Sequence, residues 1–320
     1  MRIFRTLVIT TALTMIALHP AVAQNVATWD NQQAQNGQQS NGQALFYQPH
    51  ETDANITPAQ WNRIWQKTRE NGFNTVIVQW TSYGDIDFGG KNGWLANSLK
   101  DARDQGLSLI MGLHMDPAYY NRLAEIDTAG TGAYLENQLG LSLKQANTIR
   151  QDWGISIAGW YVPLELDDWN FEQKARRNII NERLGGLASR LDMPLHVSAF
   201  SGGKLTPDAY AGWLGSLEKT GIHVWAQDGA GTRTLPAMAR ETYIKALPCD
   251  IGIVLEAFRQ TSGKNDPFTA EPAKPDNGSV TCHPAAVFGL RYMAWGGELR
   301  QAMQMHATPD ATARQNKSRP

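Results

Sequence analysis

The chain has 320 residues, with 29 lysines and arginines against 30 aspartates and glutamates, a formal net charge of −1. That balance argues against a protein built to neutralise nucleic-acid phosphates or to sit electrostatically on an anionic membrane. Two cysteines are too few for a disulfide-dense small scaffold, and the length suits two average domains or one α/β barrel.

Residues 1–23 read as an export signal: Arg2 and Arg5 form a basic start, Leu7 to Leu18 an apolar core, and Ala21-Val22-Ala23 a small-x-small cleavage site. Without Arg2 and Arg5 the count is 27 basic against 30 acidic residues, a balance of −3. No cysteine follows the cleavage site, so a lipid anchor is not expected, and no later run approaches the roughly 20 apolar residues that a membrane span needs. A periplasmic or secreted protein is the expectation. Residues 24–43, mostly Gln, Asn, Gly and Ser, read as a disordered linker, and residues 307–320 as a disordered tail.

Between these ends eight short apolar runs alternate with helical stretches. The runs are Ala44 to Tyr47, Thr75 to Val78, Leu107 to Met111, Ile155 to Leu164, Leu195 to Phe200, Ile222 to Ala226, Ile251 to Leu255 and Val287 to Tyr292. Their hydrophobicity is continuous rather than alternating, as in parallel strands covered on both faces. Thr57-Pro58-Ala59-Gln60 is a capping box with proline at the first helical position, Ile56 can staple against Trp61, and Asn71-Gly72 is a stop. Thr206-Pro207 opens the helix after strand five in the same way. Residues 117–153 exceed one helix and predict an insertion near Thr128 to Gly132. The pattern predicts a single (β/α)8 TIM barrel over residues 44–306.

In such a barrel the site lies at the C-terminal ends of the strands. Those ends collect Gln48 and His50 after strand one, Gln79, Trp80 and Tyr83 after two, His114 and Asp116 after three, and Glu165, Asp167 and Asp168 after four. Ser201 follows strand five, Gln227 and Asp228 six, Glu256 and Arg259 seven, and Trp295 eight. Glu165 and Glu256 each close an apolar run, and a facing carboxylate pair is what acid-catalysed glycoside cleavage requires. Glu165, at the head of an acidic cluster, reads as general acid and base with a raised pKa, or else as a loop glutamate. Glu256 reads as the nucleophile, held ionised by Arg259, or as a plain salt bridge with that arginine.

Trp80 and Trp295 read as platforms for sugar rings, with Trp160 and Trp225 divided between platform and barrel interior. Asp167 or Asp168 either positions a sugar hydroxyl or caps a helix, and Asp228 either binds sugar or sets the turn at Gly229. The remaining residues of the binding set are Gln48, His50, Gln79, Tyr83, His114, Asp116 and Arg259. His50, His114, Asp116, His196 and His223, scattered on or after strands, make a metal-dependent deacetylase the chemical rival, although no H-x-H or H-E-x-x-H pair occurs. Cys249 and Cys282 lie in the exported part and are expected to bridge the starts of strands seven and eight, with two free thiols the alternative.

Glutamates closing strands four and seven, with a tryptophan after strand eight, resemble the retaining TIM-barrel glycoside hydrolases. Phe46 to His50, Trp61 to Trp80, Trp160 to Asp168 and Trp225 to Gly229 resemble more closely a bacterial family of exported barrel proteins known only as a domain of unknown function and suspected of glycosidase activity. The resemblance covers nearly all of residues 44–300 and implies a polysaccharide-related role without naming the sugar; the expected function is a retaining glycoside hydrolase on a poly- or oligosaccharide such as an exopolysaccharide, with no cofactor and no metal. One departure stands out: the hydrolase clan places Asn before the strand-four glutamate, and this chain has Leu164. A barrel that binds polysaccharide without cleaving it is the alternative function.

Overall fold

Eight parallel strands close on themselves, each paired with its sequence neighbours, and the first pairs with the last. They are β1 (Gln43–Tyr47), β2 (Phe73–Val78), β3 (Ser108–Gly112), β4 (Gly159–Asp167), β5 (Leu195–Phe200), β6 (Ile222–Gln227), β7 (Gly252–Glu256) and β8 (Ala285–Phe288). The structure, a computed structural model, describes residues 43–263, 266, 268–275 and 282–307. The expected export signal, the linker up to residue 42 and the tail beyond Ala307 lie outside these. Each apolar run became a barrel strand with shifted bounds, most of all β4, which starts at Gly159 rather than Ile155 and runs through Glu165 to Asp167. Gln43 belongs to β1 rather than to the linker, and the last strand ends at Phe288, four residues before Tyr292.

The helices are α1 (Pro58–Glu70), α2 (Trp94–Asp104), α3 (Tyr119–Glu125), α4 (Thr128–Thr148), α5 (Lys174–Ala188), α6 (Pro207–Glu218), α7 (Ala237–Ala246) and α8 (Gly297–Ala307). The capping box at Thr57 is formed in both directions, satisfying backbone donors that α1 cannot satisfy internally. Gly72, at φ +88°, turns the chain out of α1 into β2, a conformation that costs a residue with a Cβ. Thr206 caps α6 through Ala209 N. The surplus between β3 and β4 is α3, which precedes the expected position, and Thr128 to Gly132 is the first turn of α4, capped by Asp127.

Strand alternation sorts the apolar residues into two shells. Ala44, Phe46, Ile77, Ile110, Tyr161, Trp225, Val254 and Ala286 pack with Phe288 inside the barrel. A larger outer shell joins strands to helices, and Trp61, Trp65 and Trp94 stack in it. Fully burying one large apolar side chain is worth roughly 1.5–3 kcal/mol, so this shell supplies much of the drive for closure. A disulfide joins Cys249, before β7, to Cys282, before β8, with 5.3 Å between Cα atoms. Among the described residues no helix is long and apolar enough to cross a membrane.

Candidate active site

One step beyond the interior layer, the same alternation turns Gln79, Gln227, Glu256 and Phe288 toward the C-terminal mouth. Glu165 joins them through an irregularity in β4. Val162 pairs with Val197, yet Glu165 pairs with Ser198, so Pro163 and Leu164 are two extra residues. An even insertion preserves the side-chain direction, and Glu165 faces inward as Tyr161 does two paired positions earlier. Leu164 is buried in the outer shell, so the contact that the hydrolase resemblance assigns to Asn at that position has no counterpart there.

Both oxygens of Glu165 are occupied. Oε2 accepts from the Tyr120 hydroxyl at 2.7 Å, and Oε1 accepts from Gln227 Nε2. Burial pushes the Glu165 pKa up, these two hydrogen bonds pull it back, and Asp167 adds a smaller upward push. Tyr119 anchors the same turn by donating to the Glu165 carbonyl at 2.9 Å. Tyr120 and Tyr119 open α3, so the surplus helix is the element that fixes the strand-four carboxylate. Tyr120 was absent from the expected set because nothing local links it to a residue 45 positions later.

Glu256 is held differently. Oε2 accepts from the backbone N–H of Gly231 at 2.6 Å and of Thr232 at 3.0 Å, while Oε1 is buried without a hydrogen-bond partner among the described residues. Its pKa is pushed up to about 8, by burial first, then by the charge of Asp228, with Glu165 adding to the rise and the two amides opposing it. Arg259 does not attend it: that guanidinium pairs with Glu271 across the hairpin of Phe258–Gln260 and Ala270–Pro272, at the surface. The expected ion pair therefore gives way to a backbone cradle, because Arg259 lies on a strand that leaves the barrel. Glu256 is only 3% exposed.

Several expected binding residues have structural partners instead. Asp167 Oδ1 accepts from Trp169 N and Asn170 N, and Oδ2 from Asn170 Nδ2, which makes it the turn-setter after β4. Asp168 clamps the loop after β5 through Gly202 N, Lys204 N and Leu205 N. Asp228 Oδ1 accepts from Ala230 N and Glu256 N, setting the turn that presents the cradle. Trp295 packs against Phe73 and donates to Thr68, at the opposite end of the barrel from the glutamates, so it is not a sugar platform there. Trp80 is buried against Tyr83 and donates to the Pro49 carbonyl. Trp160 is buried in the outer shell, and Trp225 lies in the interior with His196. Tyr120, which holds Glu165, is 46% exposed, and Trp169, in the turn after β4, is 54% exposed with Lys204 Nζ 4.6 Å from its ring centre.

Gln79 keeps a buried Oε1 without a hydrogen-bond partner among the described residues, and Gln48 pairs with His50, whose pKa burial lowers to about 4. His114 and Asp116 lie elsewhere, in a hollow of about 450 Å³ that neither glutamate lines. There Asp116 accepts from Tyr134 and pairs with Arg122, and His114 meets Ser82. Among the described residues no three potential metal ligands converge.

Of solved structures, a protein from Bacteroides thetaiotaomicron provisionally assigned as an alpha-L-fucosidase is similar over 83% of this chain and 94% of its own, at 13% identity and a TM-score of 0.57, a likeness of fold alone. A D-psicose 3-epimerase is similar over 82% of this chain and 97% of its own at 12% identity, with a TM-score of 0.43, too low to carry an argument. The uncharacterized protein YbcH of Escherichia coli K12 is 35% identical over 244 residues, 72% of this chain and 81% of its own. With residues 43–277 also matching the family described as domain of unknown function DUF4434, the chain belongs to that family.

Proposed function

We propose that the protein is an exported glycoside hydrolase that cleaves a poly- or oligosaccharide with retention of configuration, using Glu165 and Glu256 and no cofactor. The observation that carries this reading is that β4 and β7 each turn a glutamate inward at the C-terminal mouth, with Gln227, from the strand paired with β7, donating to Glu165. Two carboxyls at one mouth can divide the labour of the reaction, one giving a proton to the leaving oxygen while the other meets the anomeric carbon. Exposed Tyr120, which donates to Glu165, suits a sugar ring, which stacks on a flat apolar face. The disulfide suits an oxidising compartment.

The test incubates wild type, Glu165→Gln and Glu256→Gln with a polysaccharide panel and measures released reducing ends. Release by wild type, reduced at least about a hundredfold in either variant, supports hydrolysis; general acid-base steps alone contribute of that order. The near-complete burial of Glu256 favours a second reading, a barrel that holds glycan without cutting it. Equal glycan binding by all three proteins, with no reducing ends from any, would establish that alternative.

A further inference from the structure

We infer that the hollow between α4 and the short strand pair Ser82–Tyr83 and His114–Met115 is a second binding site, for one neutral hexopyranose unit, separate from the mouth that holds the glutamates. The inference does not rest on the hydrolase reading, since such a site serves a barrel that cuts glycan and one that only holds it alike. At about 450 Å³ the hollow falls within the roughly 300–1,000 Å³ of small-molecule sites.

Its wall on the helix side is a single stripe. Tyr134, Asn137, Gln138, Leu141, Lys144 and Thr148 recur three or four positions apart along α4, so they share one face, and all line the hollow. A helix face turned toward the rest of its domain is ordinarily apolar, yet this one is mostly amide, ammonium and hydroxyl. Packing gains nothing from such a face, and a polar guest does.

The charges around the hollow cancel. Asp85 and Asp116 are matched by Arg122 and Lys144, and burial lowers the pKa of His114 against the pull of both acids, which keeps the ring neutral. An anion would meet the two carboxylates, a cation the two basic groups, and an apolar guest would leave polar groups desolvated without partners.

Asp116 is already occupied: Oδ1 accepts from Ala118 N at 2.8 Å and Oδ2 from the Tyr134 hydroxyl at 2.9 Å, with Arg122 Nε 3.0 Å away. Among the described residues, the side chains of Asp85, Asn137 and Lys144 and the terminal nitrogens of Arg122 have no hydrogen-bond partner. They offer donors and acceptors together. A hydroxyl both donates and accepts, so a ring carrying several of them matches that mixture. Its C–H faces can pack on Tyr134 and on Leu141, which is 37% exposed. Helix α3 sets this site apart from the glutamates, because Tyr119 and Tyr120 at its start bond Glu165 whereas Arg122 lines the hollow.

The full chain, labelled with ¹⁵N, is titrated by NMR with glucose, galactose, mannose and N-acetylglucosamine, and with galacturonate and glucosamine as charged counterparts, each to about 100 mM. At least one neutral sugar should bind with a Kd in the millimolar range and shift the side-chain amides of Asn137 and Gln138, and both charged sugars should bind more weakly. Asn137→Ala/Lys144→Ala, at two exposed helix positions that alanine suits, should weaken that binding at least about tenfold while the rest of the spectrum stays in place. No shift at these amides with any neutral sugar, shifts confined to Gln227 and the Gly231 amide beside the glutamates, tighter binding of either charged sugar, or full affinity in the double variant would each overturn the inference. Because no bond is cleaved, the outcome is separable from the release of reducing ends.

Discussion

The backbone N–H of Gly231 donates to Glu256 Oε2 at 2.6 Å, so the loop after β6 holds the carboxyl delivered by β7. A Cβ at Gly231 would lie 2.5 Å from the Phe258 carbonyl oxygen and 2.9 Å from Glu256 Oε2. Gly231→Ala must therefore displace the cradle. It is expected to lower stability by roughly 1–3 kcal/mol, the usual cost of overpacking, and to reduce hydrolysis with it. Urea unfolding and reducing-end assays check both, and unchanged values in each would refute the cradle.

Glu256 should make stability depend on pH in a defined direction. Its carboxyl is raised from 4.5 to about 8 in the folded chain. Between those values the unfolded chain has released a proton that the folded chain retains, so the unfolded state binds fewer protons and stability falls as pH rises. Glu256→Gln cannot ionise and should lack that decline. From about pH 4.5 to about pH 8 the variant should gain on wild type by up to a few kcal/mol, at about 1.4 kcal/mol per pH unit. A pH-independent difference in urea unfolding would contradict it.

Asp53 and Arg291 form a buried ion pair that ties the segment after β1 to the segment after β8, with Arg291 Nη2 3.0 Å from both carboxylate oxygens. Tyr47 OH and His50 N also donate to Asp53. Removing one partner strands a buried charge, so Asp53→Ala or Arg291→Ala should each cost about 3–5 kcal/mol. The double substitution should cost less than the sum of the two, because the second change removes the stranded charge. Additive losses in urea unfolding would mean the pair is not coupled.

The Cys249–Cys282 bridge closes a loop with a sequence separation of 33. Chain entropy assigns such a closure about 3–4 kcal/mol. Cys249→Ser/Cys282→Ser should lose about that much in urea unfolding, and a reductant should lower the wild-type thermal midpoint while leaving the double variant unmoved. A reductant effect of equal size on both proteins would rule the bridge out as its cause.

Some of the site was legible before folding, and the reason is local. A run of apolar residues followed by a carboxylate is a strand with its end marked, and Thr57-Pro58 with Gln60 is a helix start whose hydrogen bonds close within one turn. The eight strands, the barrel, the two cysteines that meet and the two glutamates at strand ends follow from such short-range patterns. Residues named for their place after a strand fared differently. Asp167 and Asp228 set turns, Arg259 left on a hairpin, and Trp295 packs against Phe73 at the start of β2.

By itself, the amino-acid sequence determined the architecture and the delivery of Glu165 and Glu256 to one end of it, since hydrophobic period and capping act over a few residues. Only the tertiary structure decided which way Glu165 points and what holds each acid. Its direction depends on two extra residues in β4 that become visible only against β5. Its partners come from 45 and 62 positions away, and the Glu256 cradle comes from the neighbouring strand's loop. Barrel closure makes these contacts, and no local pattern encodes them.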